Sequence, residues 1–220
     1  MPEGLGLRDV DRLLHDLRSP VNSIMGRIQQ ALRHTQDATA RRHLLRGSAA
    51  CRNLLRRFQN LHDLLALRQE ADFPPAGSTD LAEAWEAALY PWRPLAEALG
   101  VRVVAELPEG LSVGVEREVL LRMLDNLLSN VFVHAEELEM VSARVDEAGG
   151  RVDFSLRNDG VLEGEGELEV AVPDLSAGPT LNGLGLPVVK ALAEKVGGGL
   201  QARHGTGGSF IVTLTLPAGQ

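Results

Sequence analysis

The sequence has little of several residue types, and each scarcity excludes a class of protein. A single cysteine excludes a disulfide framework and any cysteine-based zinc cluster. No apolar run approaches the roughly 18 residues that a membrane-spanning helix needs, and the first residues carry no signal-peptide pattern. Aromatic residues make up 4% of the chain, and none lies near Arg12, Arg18 or Arg27 to stack on a base. We therefore expect a cytoplasmic protein with no membrane span and no nucleic-acid partner.

The charge that is present is unevenly distributed. Residues 1–70 contain twelve arginines, no lysine and seven acids, a net of about +5, although the 220-residue chain carries −8 in total. The rest of the chain therefore carries about −13. The two prolines and the glycine within residues 73–78 cannot continue a helix at this boundary. The pattern predicts two units with different partners, residues 1–70 and 80–220, joined by a linker over 71–79.

Apolar residues at alternating spacings of three and four predict two helices in the first unit, at about 8–34 and 38–69. A polar turn with Asp37 or Thr39 as N-cap separates them. One hairpin buries little apolar surface, so we expect two to pair as a homodimeric four-helix bundle. Packing of both helices on the second unit is the alternative. The two apolar seams consist of Leu7, Val10, Leu14, Leu17, Val21, Ile24, Ile28 and Ala31, and of Leu44, Gly47, Cys51, Leu54, Phe58, Leu61 and Leu65.

One segment of the first helix has an unusual combination of residues. His15 lies beside the seam and should face solvent, while Ser19 lies one turn later on the same face. Asp16 follows the histidine directly. Pro20 removes a hydrogen bond from the helix and should kink it just after the histidine. By itself, a surface histidine in such a place is usually only a surface residue.

The segment from His15 to Val21 (HDLRSPV) resembles the H-box of bacterial sensor histidine kinases. The resemblance implies that His15 is phosphorylated on its ring and that Asp16 accepts the proton from the other ring nitrogen. It also implies that Ser19 orients a water for dephosphorylation. Near pH 7 the imidazole is mostly neutral and offers the free lone pair that such a nucleophile needs.

The second unit mixes helical and strand periodicities, which predicts an α+β fold with an α/β sandwich whose helices cover one face of the sheet. A glycine-rich loop is expected at 160–183, and the last two strands form a hairpin through a glycine turn. Helices are expected at about 80–99 with an interruption near Pro91 and Pro94, at 116–134 and at 184–196. Strands are expected at 101–107, 137–146, 151–157, 200–204 and 209–216.

Asn126 and Asn130 lie one turn apart on the predicted 116–134 helix, where asparagines are most often plain polar residues. The segment 125–131 (DNLLSNV) is similar to the N-box of the same kinases and of the gyrase, heat-shock-chaperone and mismatch-repair ATPases. The similarity implies a Bergerat-type ATPase domain in which both asparagines bind Mg²⁺ and phosphate through side-chain oxygens, the hard ligands that Mg²⁺ prefers. Asn130 matches the more critical position. His134, one turn later, falls where the family often has a residue near the nucleotide.

The second glycine box of that family has a counterpart at residues 182–186 (NGLGL). Through this resemblance, Gly183, Leu184, Gly185 and Leu186 are expected to hold the phosphate chain of ATP. Flexible glycine backbone before a helix N-terminus suits an anionic ligand.

The first glycine box departs from the family pattern. Asn158 stands where the family has an aspartate that accepts a hydrogen bond from the adenine amino group, unless Asp159 takes that role by a one-residue shift. Gly160 follows, but Leu162 replaces the second glycine. An asparagine oxygen can still accept one hydrogen bond. The expected lid, residues 161–182, carries five acids and no lysine or arginine, so its charge would repel ATP.

Two catalytic functions fit this pattern. The first is a two-component histidine kinase that autophosphorylates His15 from Mg-ATP and passes the phosphoryl group to a response-regulator aspartate. The alternative is an ATP-independent phosphorelay histidine phosphotransferase with a degenerate ATPase-like domain. The altered first glycine box favours the alternative, and the intact asparagine pair opposes it. A non-catalytic scaffold that sequesters receivers is the third reading. All three predict a receiver domain as partner, because its acidic pocket would be attracted to the arginine-rich bundle.

Overall fold

A computed structural model describes residues 6–68, 77–134, 137–160, 166–173, 183–205 and 209–219. The chain divides into two compact units, Met1–Phe73 with Pro173–Gly185, and Pro74–Val172 with Leu186–Gln220. Most of the predicted linker and of the predicted lid lies outside the described residues. Within the described ranges, no helix combines the length and the hydrophobicity needed to cross a membrane.

The first unit is built on a helical hairpin of α1 (Leu7–His34) and α2 (Ala38–Arg68). Helix α1 continues through Pro20, so the proline does not divide it. Asp37 caps α2, because its Oδ1 accepts the Ala40 backbone N–H at 2.6 Å. This geometry selects Asp37 over Thr39, the other predicted N-cap.

The predicted apolar seams are only partly buried within one chain. On α1, Val10, Leu14 and Val21 are buried, but Ile24 is 49% exposed. Leu54 of α2 is 40% exposed. Leu61 of the predicted α2 seam is buried, and most of the other seam residues are half-buried, because a hairpin buries only the helix sides that face each other. The apolar residues of α2 that are buried are Leu45, Ala49, Leu61 and Leu64.

The second unit is a mixed sheet with helices, which confirms the predicted α+β class. The helices are α3 (Leu81–Leu89), α4 (Arg93–Leu99), α5 (Arg117–His134) and α6 (Gly185–Lys195). The strands are β1 (Thr79–Asp80), β2 (Arg102–Glu106), β3 (Ser112–Val113), β4 (Met140–Ala148), β5 (Arg151–Asn158), β6 (Glu167–Leu168), β7 (Gly199–His204) and β8 (Phe210–Pro217). Six strands pair in the order β2-β4-β5-β8-β7-β6, with β2 parallel to β4 and the other pairs antiparallel. Trp85 of α3 packs on Phe154 of β5 with 5.6 Å between ring centroids, which joins helix to sheet.

Strands β1, β3 and β6 are the elements that the sequence pattern misses. Each has two residues, too few to show an alternation of polar and apolar side chains. Strand β6 lies within the segment predicted as a glycine-rich loop, and it exists through pairing with β7, Glu167 opposite Arg203. Strands β1 and β3 pair with each other in a separate two-stranded sheet, and Val113 of β3 also forms a bridge with Ala218.

Candidate functional site

His15 lies on the solvent-exposed side of α1, as its heptad position predicts. Its side chain is 89% exposed, and that of Asp16 is 68% exposed. His15 Nδ1 and Asp16 Oδ1 are 3.5 Å apart, so the carboxylate faces one ring nitrogen and leaves Nε2 toward solvent. Ser19 is also exposed, one helical turn beyond the histidine. These three residues therefore form an accessible polar surface on a single helix.

A second histidine, which the sequence analysis does not single out, connects the two helices close to this surface. His62 Nε2 of α2 lies 3.1 Å from Oδ1 of Asp11, the residue one turn before His15 on α1. The other ring nitrogen of His62 lies 3.4 Å from Oδ1 of Asp63, whose side chain is buried. Sequence spacing gives no signal for this contact, because it depends on which sides of α1 and α2 face each other.

Asn126 and Asn130 both lie on α5, but their surroundings differ. Asn126 is buried, and its Nδ2 donates to the Arg122 backbone oxygen at 2.9 Å. Asn130 is half-buried and makes no side-chain hydrogen bond to another described residue. Trp92 Nε1 donates to Asp125 Oδ1 at 3.2 Å, beside Asn126 in the chain. Of the two asparagines, Asn130 is therefore the one whose amide is available to a ligand.

His134, the third candidate on α5, is the last residue of that helix. Its side chain lies outside the described part of the structure. Its predicted place beside the nucleotide thus stays a prediction.

The residues of the first glycine box stand at the end of β5. Asn158 is the last residue of the strand and is 2% exposed. Its Oδ1 is buried and has no hydrogen-bond partner among the described residues. Gly160 is also buried. The Asn158 oxygen is thus free to accept a hydrogen bond from a ligand.

Asp159 is held by the backbone at the start of β4. Its Oδ1 accepts the N–H groups of Glu139 at 3.0 Å and of Met140 at 2.8 Å. This carboxylate connects two neighbouring strands, so its geometry does not favour the one-residue shift that would give it the role of Asn158.

The second glycine box leads directly into α6. Gly183 has a φ of 73°, in the left-handed region that glycine adopts without strain. Leu184 is buried, and Gly185 is the first residue of α6, with Leu186 next. The first backbone N–H groups of a helix have no partner within it, and they favour negatively charged ligands. Asn182, the first residue of this box, lies outside the described residues.

The available ligands fit Mg²⁺ held largely by a nucleotide's own phosphates. The described residues contain no group of three or more His, Cys, Asp or Glu side chains that could hold a metal ion. They do offer the Asn130 amide. Mg²⁺ usually keeps several waters and binds through substrate phosphates with few protein ligands. The donor set therefore suits a phosphate-bound ion and does not resemble a site for a resident metal.

Sequence comparisons place this chain beside histidine kinases. The family model of histidine kinase-, DNA gyrase B- and HSP90-like ATPases matches residues 115–220. A probable sensor histidine kinase of Mycobacterium tuberculosis is 28% identical over 206 residues, covering 90% of this chain and 52% of that protein. Histidine protein kinase DivJ of Caulobacter vibrioides is 26% identical, covering 96% and 37%. The chain therefore spans about half or less of the length of these relatives.

Solved structures show the same fold. The Acinetobacter baumannii histidine kinase AdeS matches with a TM-score of 0.58 at 18% identity, covering 92% of this chain and 97% of that one. The catalytic domain of histidine kinase ThkA gives a TM-score of 0.53 at 17% identity, covering 66% and 97%. At these identities the likeness concerns the fold alone.

Proposed function

We propose that the chain is the core of a two-component protein-histidine kinase, because residues 115–220 match the domain model of histidine kinase-, DNA gyrase B- and HSP90-like ATPases. The observation that carries the proposal is the combination, in one chain, of this domain with the exposed His15 beside Asp16 on a helical hairpin. The relatives named as histidine kinases match across 90% or more of this chain, so the matched residues include most of the hairpin.

His15 is the proposed nucleophile. The Asp16 carboxylate faces the proton on Nδ1 and accepts it as the lone pair of Nε2 attacks the γ-phosphorus of ATP. The Nε2–P bond forms as the bond from phosphorus to the bridging oxygen breaks, and that oxygen leaves as part of ADP. In the second step a receiver aspartate oxygen attacks the same phosphorus. The N–P bond breaks, the electron pair of that bond returns to Nε2, and Nδ1 takes its proton back from Asp16.

The residues that match the ATPase family model, 115–220, would bind the nucleotide. Asn130, with Asn126 next to it, is the proposed ligand for the metal–phosphate group, and Gly183 to Leu186 would receive the phosphate chain at the start of α6. Mg²⁺, when bound, supplies positive charge that offsets the charge of the phosphates. Asn158 would accept a hydrogen bond from the base, and His134 would lie near the nucleotide. Ser19 would orient the water that removes the phosphoryl group.

The proposed partners are a second copy of this chain and a response-regulator receiver domain. Within one chain, the hairpin leaves Ile24 and Leu54 exposed, which favours a homodimeric four-helix bundle over residues 1–70. Exposed arginines near His15 would attract the acidic phosphorylation pocket of a receiver. The chain would act in the cytoplasm, where receivers are found.

Titration calorimetry with Mg-ATP, followed by phosphoryl labelling, tests the proposal. Saturable binding with Kd at or below about 1 mM is expected for the wild type, and Asn130→Ala should weaken it at least about tenfold. Incubation with γ-labelled ATP should then give acid-labile, base-stable label that His15→Ala abolishes. His34→Ala removes another exposed histidine of α1 and should keep the label.

Two results would contradict the kinase. Label that persists in His15→Ala would show that His15 is not the phosphorylated residue. No binding at several millimolar Mg-ATP, together with phosphorylation of His15 by a phosphorylated receiver, would establish the ATP-independent phosphotransferase instead. That alternative is not favoured, because residues 115–220 match a model of ATPase domains.

A further inference from the structure

A row of side chains crosses three strands at one end of the second unit's sheet. Asn158 of β5 is paired with Phe210 of β8, and Phe210 is paired with His204 of β7. Cross-strand partners project from the same face of a sheet. On β5 this face otherwise carries buried apolar side chains, such as Phe154 and Leu156. The row therefore places two polar side chains at the end of an apolar face.

Each of these two side chains has a buried polar atom without a partner. Asn158 Oδ1 and His204 Nδ1 are shielded from solvent and have no hydrogen-bond partner among the described residues. The His204 ring packs against Phe210, with 5.5 Å between centroids and 60° between planes. Buried polar atoms are paired in the great majority of cases, because an unpaired one is costly. Two of them in one row indicate that a ligand completes the bonding.

We propose that Asn158 and His204 together read the base of the nucleotide, and that they accept both 6-amino and 6-oxo purines. This inference rests on the proposed function, since it concerns the same nucleotide site. The chemical reason is that both side chains can exchange donor and acceptor. An asparagine presents oxygen or NH₂ after a flip of its amide, and a neutral imidazole nitrogen carries its proton or a lone pair.

An ionised carboxylate at position 158 would act differently. It only accepts hydrogen bonds, so it pairs with the amino group of adenine and repels the 6-oxo group of guanine or hypoxanthine. Asp159 is not a member of the row, and its Oδ1 accepts the backbone N–H groups of Glu139 and Met140. The row consequently has no fixed acceptor to exclude a 6-oxo purine.

The test measures the affinity of the purified full chain for Mg-ATP, Mg-GTP and Mg-ITP by calorimetry. The wild type should bind the three with dissociation constants within about tenfold of one another. Asn158→Asp should bind ATP at least as tightly and GTP at least about tenfold more weakly than the wild type. Asn22→Asp makes the same change at an exposed position of α1 and should leave all three affinities unchanged.

Variants of His204 test the second member of the row. His204→Phe keeps an aromatic ring against Phe210 but removes the ring nitrogens, and it should weaken all three nucleotides several-fold. His204→Gln restores a group that donates or accepts, and it should recover most of the loss. Circular dichroism and thermal unfolding verify that each variant is folded.

The outcomes separate this inference from the proposed function. A wild type that binds ATP but binds GTP more than about 100-fold more weakly would show strict base selection, and it would overturn the inference while the kinase stands. Unchanged affinities in a folded His204→Phe would overturn it as well. A wild type that binds none of the three nucleotides would overturn both proposals.

Discussion

At the scale of single residues, identical side chains have different tasks according to their burial. Asn126 and Asn130 stand one turn apart on α5 and have the same chemistry. Asn126 is buried and bonded to the Arg122 backbone oxygen, whereas Asn130 is half-buried. Removal of a buried amide leaves its hydrogen-bond partner unpaired, whereas water can replace the hydrogen bonds of a half-buried amide.

Alanine substitution of the two asparagines should therefore change the free energy of unfolding by different amounts when no nucleotide is present. Asn126→Ala removes a buried hydrogen bond and should lower the free energy of unfolding by about 1–3 kcal/mol. Asn130→Ala should change it by less than about 0.5 kcal/mol. Urea unfolding monitored by tryptophan fluorescence measures both values. Equal losses would show that Asn130 also has a structural role, and its effect on nucleotide binding would need correction for stability.

At the scale of elements, the connections between helices and strands depend on a few exact contacts. Gly198 joins α6 to β7, and its N–H donates to the Ala193 oxygen at 2.8 Å. A Cβ at this position would overlap the carbonyl oxygen of Thr215 and lie 3.1 Å from its carbon. Gly199, the next residue, has no atom within 4 Å of an added Cβ. Of these two adjacent glycines, only Gly199 has space for a side chain.

Alanine at these two positions should have opposite consequences. Gly198→Ala forces the chain away from β8 and should destabilise the protein by about 1–3 kcal/mol. Gly199→Ala fills open space in a strand and should be neutral or stabilising by up to about 1 kcal/mol. Thermal and urea unfolding of the pair measure this difference. A neutral Gly198→Ala would mean that β7 and β8 separate easily at this end.

The hairpin offers an independent test of its own turn. Asp37→Ala removes the side-chain bond to the first turn of α2 and should cost about 1 kcal/mol, the usual value of an N-cap. Gln36→Ala changes the preceding exposed residue and should cost much less. Chemical unfolding monitored by far-ultraviolet circular dichroism follows the helical signal. A loss in Gln36→Ala as large as that in Asp37→Ala would contradict the capping role.

At the scale of the whole molecule, the uncovered hairpin surface predicts assembly. A hairpin with exposed apolar residues on both helices gains stability when a second copy covers them. Light scattering at micromolar concentration should give the mass of two chains. Ile24→Glu places a charge on the seam and should shift the mass toward one chain.

Leu168→Glu is the control for this assembly. Leu168 is 41% exposed, similar to the seam residues, but it lies on β6 in the second unit. The variant should keep the wild-type mass. A wild type that scatters as a single chain at micromolar concentration would contradict the dimer.

Much of the fold follows from the sequence because it depends on local periodicity. The long helices are confirmed with ends within one or two residues of the prediction, and the break near Pro91 and Pro94 separates α3 from α4. The longer strands are also confirmed, since each spans enough residues to alternate. Strand β6 could not be predicted, because a two-residue strand exists only where a neighbour pairs with it.

Some features of the candidate site also follow from the sequence, and others do not. The sequence by itself determined the one-turn spacing of His15 with Ser19 and of Asn126 with Asn130, because the helical repeat fixes both. It also determined that Asn158 stands where the family pattern has an aspartate. Only the tertiary structure decided that the Asp159 carboxylate binds the backbone of Glu139 and Met140, about twenty residues earlier.

The tertiary structure likewise decided what lies beside Asn158. His204 carries no motif, yet strand pairing through Phe210 brings it into the same row with an unpartnered ring nitrogen. Asp11 and His62 meet for the same kind of reason, the facing of α1 and α2. Residue types and helical spacing are local properties that the sequence states directly. Strand register and helix facing join distant residues, and they are determined only when the whole unit packs.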